Sequence, residues 1–198
     1  MKNILRVSLL LAASLAAAPA AWALEIGESA PSFSLPGTDG QTYSLEQFKD
    51  KKAIAVIFTC NHCPYVQAYE DRIVQLQKDY GEQGLQVITI NSNDATALPD
   101  DDFEHMKVRA AEKNFNFPYL VDESQETAKA YKAERTPHVY LFDGGFKLRY
   151  TGKIDDNWEN PDQVKVRYLS DAVQALLKGE SPKEAKTFAI GCTIKWKK

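Results

Sequence analysis

Ala53-Ile54-Ala55-Val56-Ile57-Phe58-Thr59-Cys60-Asn61-His62-Cys63-Pro64-Tyr65-Val66 decides the architecture. Its first six residues form a continuous apolar run of strand length, the pattern of a strand buried on both faces of a sheet. The run ends at Thr59-Cys60, and from Pro64 the period becomes helical. Val66, Tyr69, Ile73, Leu76 and Tyr80 share one face of a predicted helix that reaches about Tyr80. Pro64 suits the first turn, where its missing N–H costs nothing. Gly81 and Gly84 close the helix. A buried strand therefore gives way to a helix, and two cysteines sit at the junction.

Upstream, Ser32-Phe33-Ser34-Leu35 and Thr42-Tyr43-Ser44-Leu45 alternate in period two around Pro36, Gly37 and Asp39-Gly40, which predicts a β-hairpin. Ser44, three residues before Gln47, predicts a capping box for a short helix through Phe48. Downstream, Leu85–Ile90 is a second buried strand, and residues 99–114 read as a helix. Asp100-Asp101-Asp102 near its positive end reads as a solvated helix start rather than a metal site. Phe117–Val121 is a short strand and Gln125–Tyr131 a short helix. Val139–Phe142 and Lys147–Thr151 form a hairpin around Asp143-Gly144-Gly145. Asp155-Asp156-Asn157 reads as a turn or helix cap, and Val164–Leu177 as a last amphipathic helix. Strands alternating with helices predict an α/β sandwich with a mixed sheet.

The chain has 198 residues, 44% hydrophobic and 26% charged, which fits one globular domain able to bury a core without disulfide staples. Its start differs from the rest. Lys2 and Arg6 precede an apolar run from Val7 to about Ala18, followed by Ala21-Trp22-Ala23. This is the pattern of a secretory signal cleaved after Ala23, and the run is shorter than the ~20 residues of a membrane span. The expected divisions are a leader over 1–23, a domain over 24–178 and a tail over 179–198. Loss of the leader removes Lys2 and Arg6 and no acid, so the net charge of −3 becomes −5. A mildly acidic surface argues against nucleic acid and anionic membranes as partners. Export places the cysteines in an oxidising compartment, the bacterial periplasm for a leader of this kind.

The Cys60-Asn61-His62-Cys63 spacing carries the chemistry. A helix start presents unpaired N–H groups and a positive dipole end, which favour the thiolate that attacks disulfides. The expected roles are attack by Cys60, taken as earlier and more exposed, and resolution by Cys63. His62, when protonated, stabilises a thiolate and makes the disulfide more oxidising. A structural disulfide across so short a loop constrains little of the unfolded chain. A zinc site needs a second Cys or His pair at ligand spacing, which the sequence lacks. No cofactor is expected.

From Ile26 to about Asp156 the chain resembles the thioredoxin-like redoxin family, in its AhpC/TSA-type and TlpA/ResA-like branch. The resemblance rests on Ile26-Gly27-Glu28-Ser29-Ala30-Pro31-Ser32-Phe33, on Thr59-Cys60-Asn61-His62-Cys63-Pro64-Tyr65-Val66, which matches a subgroup called peroxiredoxin-like, and on Arg135-Thr136-Pro137-His138-Val139-Tyr140-Leu141-Phe142-Asp143. It implies a thioredoxin fold with an N-terminal hairpin and a C-terminal extension. It also implies a cis Pro137 against the dithiol and a Thr136 backbone that pairs with an incoming peptide. Two departures follow. Peroxiredoxins carry Pro-x-x-x-Thr-x-x-Cys, and aligned on Cys63 those places hold Val56 and Cys60. Thioredoxins place Trp before the dithiol and a buried acid on the preceding strand; here Thr59 is the neighbour and Ala53–Phe58 holds no acid.

Cys192 lies in Ile190-Gly191-Cys192-Thr193-Ile194-Lys195-Trp196, an apolar patch in a polar tail. It reads either as an inert packed thiol or as a third thiol, a resolving group or ligand, brought to the dithiol by a folded-back tail. His138 reads either as a surface residue or as a neighbour of the dithiol. The expectation is a periplasmic thiol–disulfide oxidoreductase acting on protein thiols and disulfides, with Cys60, His62 and Cys63 catalytic and Thr136 and Pro137 as substrate platform. A thiol peroxidase is the second reading. The third is a Cu(I)-binding protein using Cys60, His62, Cys63 and Cys192.

Overall fold

All seven residues of the strand β3 (Ala53–Thr59) are buried. Its side chains alternate between two cores. Ile54, Val56 and Phe58 face one, while Ala53, Ala55 and Ile57 face the other. A strand enclosed on both faces has no polar face to alternate with, which is why its sequence is continuously apolar. The computed structural model describes residues 24–198; the expected leader over 1–23 lies outside the described residues.

The remaining elements are β1 (Ser34–Pro36), β2 (Thr42–Ser44), α1 (Pro64–Tyr80), β4 (Leu85–Asn91), α2 (Phe103–Glu112), β5 (Tyr119–Val121), α3 (Glu126–Tyr131), β6 (Arg135–Thr136), β7 (His138–Asp143), β8 (Leu148–Gly152), α4 (Tyr168–Leu177) and β9 (Cys192–Thr193). The central sheet runs β5-β4-β3-β7-β8. β4 is parallel to β3 and β5 to β4, whereas β7 and β8 are antiparallel to their neighbours. The α1 and α4 helices cover one face through Tyr69, Ile73, Leu76, Leu169 and Val173. The opposite face takes Ala128 and Tyr131 of α3 with Leu35, Leu45 and Phe48 of the N-terminal hairpin region. This is a thioredoxin fold, α/β with a mixed sheet flanked by helices.

The hairpin forms as expected, with Leu35 opposite Tyr43, and the Ser44–Gln47 capping box starts a single turn over Leu45–Phe48. The expected helix over 99–114 is broken. A 3-10 turn covers Pro99–Asp101, and α2 begins only at Phe103 because Asp102 caps it through the His105 N–H. The last helix is also shorter than expected, starting at Tyr168 after a 3-10 turn over Pro161–Gln163. Asp155 is more than a turn residue: buried, it accepts from Tyr69 Oη at 2.8 Å and Arg72 Nη1 at 2.6 Å, joining α1 to the chain after β8. Among the described residues no helix is long and apolar enough to cross a membrane.

The tail is held at three levels. Ile194 enters the same core as Phe58. β9 pairs antiparallel with β6, Cys192 opposite Thr136 and Thr193 opposite Arg135. Beyond it, Lys195 N–H donates to Asn93 Oδ1 and Lys197 N–H to Gln125 Oε1, both at 2.8 Å.

Candidate active site

The dithiol sits where β3 ends and α1 begins. Cys63 is the N-cap of α1 and Pro64 its first residue. An N-cap side chain faces the unpaired N–H groups of the first turn. The Cys63 sulfur is held toward the thiolate first by the Cys60 thiol, then by the Cys192 thiol and the Val66 backbone N–H, all acting against burial. Cys60 is pushed the other way, by the same bond to Cys63, by burial and by the charge of Asp101. The Cys192 thiol is likewise raised, by burial and by its contact with Cys63. Cys63 is thus the middle sulfur of three.

Neither thiol of the pair is exposed: Cys60 is 1% exposed and Cys63 0%. The chain at Cys60 is still inside the layer formed by β3, and Thr136 covers it, its Oγ1 3.3 Å from the Cys60 sulfur. The Thr136 carbonyl lies 3.3 Å from the Cys63 sulfur and accepts from it when Cys63 is a thiol. Both sulfurs therefore touch Thr136. The Thr136–Pro137 peptide bond is cis. Cys192, half-buried, packs against Cys60, Cys63 and Val66.

The turn between the cysteines is fixed from behind by Asp101, a residue the sequence reading left in solvent. Asp101 is 2% exposed. Its Oδ1 accepts the Asn61 N–H at 2.6 Å and the His62 N–H at 3.3 Å. Its Oδ2 lies 2.6 Å from His62 Nδ1 and accepts Asn93 Nδ2 at 2.7 Å. Asn61 is pinned as well: its Nδ2 donates to the Asp100 carbonyl at 2.7 Å, and its Oδ1 accepts from Tyr119 Oη at 2.8 Å. The buried acid that β3 lacks is thus supplied from the loop before α2. One signal pointed to it: with Asp102 as the cap, Asp101 falls outside the helix and is free to turn inward. The roles of Asn61 and Tyr119 carried no sequence signal.

Among the described residues, Cys60, His62 and Asp101 bring ligand atoms within 4.8 Å of one another. Asp101 already accepts four donors and His62 Nδ1 is engaged with it, so the ring atom left for a metal is Nε2. The soft donors are the sulfurs of Cys60, Cys63 and Cys192, a set suited to Cu(I).

His138 is bonded away from the sulfurs, with Nδ1 3.1 Å from Tyr140 Oη and Nε2 3.3 Å from Thr151 Oγ1. Burial pulls its pKa down to about 4. The unfolded chain takes up this proton near pH 6.5 and the folded one does not, so stability present at neutral pH declines as pH falls from about 6.5 toward 4. The expected loss is on the order of 3 kcal/mol. Urea unfolding at pH 7 and pH 4.5 measures it, and His138→Gln should flatten the difference.

The AhpC/TSA family profile matches residues 26–157. A hypothetical protein from Sinorhizobium meliloti 1021 with a solved structure is 39% identical, covers 88% of this chain and 96% of its own, and superposes with a TM-score of 0.83. An uncharacterized conserved protein from Geobacillus kaustophilus is 42% identical over 87% of this chain and 93% of its own, also with a TM-score of 0.83. The thiol-disulfide oxidoreductase ResA of Bacillus thuringiensis subsp. konkukian (strain 97-27) is 25% identical over 127 residues, which is 63% of this chain and 68% of that protein. A thioredoxin fold, the family match and a cysteine pair at the head of α1 lead to one assignment: the chain belongs to the AhpC/TSA family of thioredoxin-like redoxins.

Proposed function

We propose that this chain is an exported thiol–disulfide oxidoreductase, working in the bacterial periplasm on protein thiols and disulfides through the Cys60–Cys63 couple. The observation that carries the reading is the contact of the two sulfurs at the head of α1, with Cys63 at the N-cap, where its surroundings favour the thiolate. The geometry favours Cys63 as the sulfur that bonds to the partner and Cys60 as the internal thiol that resolves it, the reverse of the order read from sequence. His62, bonded to Asp101 beside Cys60, tunes the pair. Thr136 and Pro137 form the platform that faces the partner. The leader over 1–23 supports export, and the likeness to ResA supports the chemistry.

The test is the reduction potential of the pair, measured by glutathione equilibration of the mature protein with and without Cys192→Ser. A reversible two-electron Cys60–Cys63 couple is expected. A value near about −270 mV makes the protein a reductase, and one near about −120 mV an oxidant. The donor set of three sulfurs and an imidazole supports a second reading, Cu(I) binding. That reading takes over if no reversible disulfide forms and Cu(I) binds tightly only when Cys192 is present. Peroxide consumption by the wild type but not by Cys63→Ser would move the assignment to a thiol peroxidase.

A further inference from the structure

The edge strand β6 is the element that touches both sulfurs, through the side chain and the carbonyl of Thr136. An exposed strand edge is the standard place for an extended peptide to add by main-chain pairing. In this protein the edge is already taken. β9 lies antiparallel along it with Cys192 directly opposite Thr136. The Ile194 N–H donates to the Glu134 carbonyl at 2.9 Å, and Arg135 Nη1 donates to the Gly191 carbonyl at 3.0 Å. Contact at the crossing is close enough to demand glycine: a Cβ on Gly191 would stand 2.0 Å from the Thr136 carbonyl oxygen, and its φ of +140° is itself unfavourable for an L side chain. The tail thus delivers one half-buried thiol to the Cys63 sulfur of the dithiol, as a docked cysteine peptide would.

We propose that β9 is a tethered substrate: it occupies the Arg135–Thr136 edge that an incoming cysteine-containing segment of the partner protein would need, and Cys192 stands in the partner cysteine's place and exchanges with Cys63. The inference rests on the thiol–disulfide reading above. In the exchange step the Cys192 thiolate attacks the Cys63 sulfur of the Cys60–Cys63 disulfide. The Cys63–Cys192 bond forms and the Cys60–Cys63 bond breaks. Cys60 leaves with the electron pair and takes up the proton that Cys192 gave up, so one disulfide is traded for another and no outside oxidant is consumed. A partner reaches Cys63 only after β9 has lifted from the edge, so the competent population is a fraction of the whole and the apparent affinity falls by that fraction.

Two experiments on the mature protein decide it. In the first, Cys60→Ser is oxidised with glutathione disulfide, quenched with acid and mapped by peptide mass spectrometry. An intramolecular Cys63–Cys192 disulfide is expected. Glutathionylated Cys63 beside a free Cys192 overturns the proposal. In the second, the rate of insulin disulfide reduction with dithiothreitol is compared among wild type, Cys192→Ser and Gly191→Ala, which keeps the thiol but lifts the strand. Both variants should act at least about fivefold faster. Rates equal to or below wild type in both overturn it. A wild type that turns over no disulfide and forms no Cys60–Cys63 bond sinks the parent reading instead, and the cross-link in Cys60→Ser is scored independently of turnover.

Discussion

On the proposed function, Cys63→Ser is expected to abolish disulfide exchange, with a loss of at least about a thousandfold in insulin reduction, because the hydroxyl that replaces the central sulfur neither ionises nor forms a disulfide. Cys60→Ser behaves differently. It leaves Cys63 able to attack, and with Cys192 also replaced by serine no neighbouring thiol is left to release the partner, so in Cys60→Ser, Cys192→Ser a covalent adduct with the partner should accumulate and survive non-reducing electrophoresis. If Cys60→Ser, Cys192→Ser forms no adduct and Cys63→Ser, Cys192→Ser does, the two roles are reversed. The contrast discriminates because both thiols are equally enclosed. Exposure gives no preference between them, and only the N-cap position of Cys63 and the donors around it do.

Asp101→Ala is expected to have the largest effect on stability. It leaves the Asn61 and His62 N–H groups and the Asn93 amide without their acceptor in a site closed to water. An unsatisfied buried polar group costs about 1–3 kcal/mol, so a loss of 3 kcal/mol or more is expected by urea unfolding. Asp101→Asn separates charge from hydrogen bonding. It keeps the shape and an acceptor oxygen but removes the negative charge that helps raise the Cys60 thiol. The reduced form then gains, and the Cys60–Cys63 potential should move in the oxidising direction. An unchanged potential in a folded Asp101→Asn protein would show that the charge does not reach the sulfurs.

The fold was legible because its decisive stretch combines two signals: an apolar run of strand length over Ala53–Phe58, followed by a change to helical period from Pro64, fits an enclosed strand feeding a helix. The dithiol was legible for the same reason, since its position at that junction fixes its surroundings. Asp101 was not. Three consecutive aspartates look alike in sequence, and only the capping of α2 by Asp102 separates the one turned inward from its neighbours. The enclosure of both Cys60 and Cys63 was not legible because the cover over them comes from residues 136 and 192, far away in the chain. The tail offered two readings in sequence, an inert thiol or a third one at the site. The choice lies in a two-residue pairing with β6 and in one leucine-sized anchor, Ile194, neither of which has a periodic signature.

The placement of Cys63 between two other thiols has a consequence for survival under oxidative stress. A thiolate attacked by peroxide becomes a sulfenic acid, and a second peroxide carries it to the irreversible sulfinic acid. At Cys63 the first product would form with Cys60 and Cys192 both in contact, so condensation with a thiol competes with a second oxidant. Condensation with either neighbour gives a disulfide, which a reductant can restore. Two thiols flanking one sulfur thus make the first oxidation recoverable, and repeated peroxide pulses should leave the site reducible where the double variant Cys60→Ser, Cys192→Ser accumulates sulfinic acid.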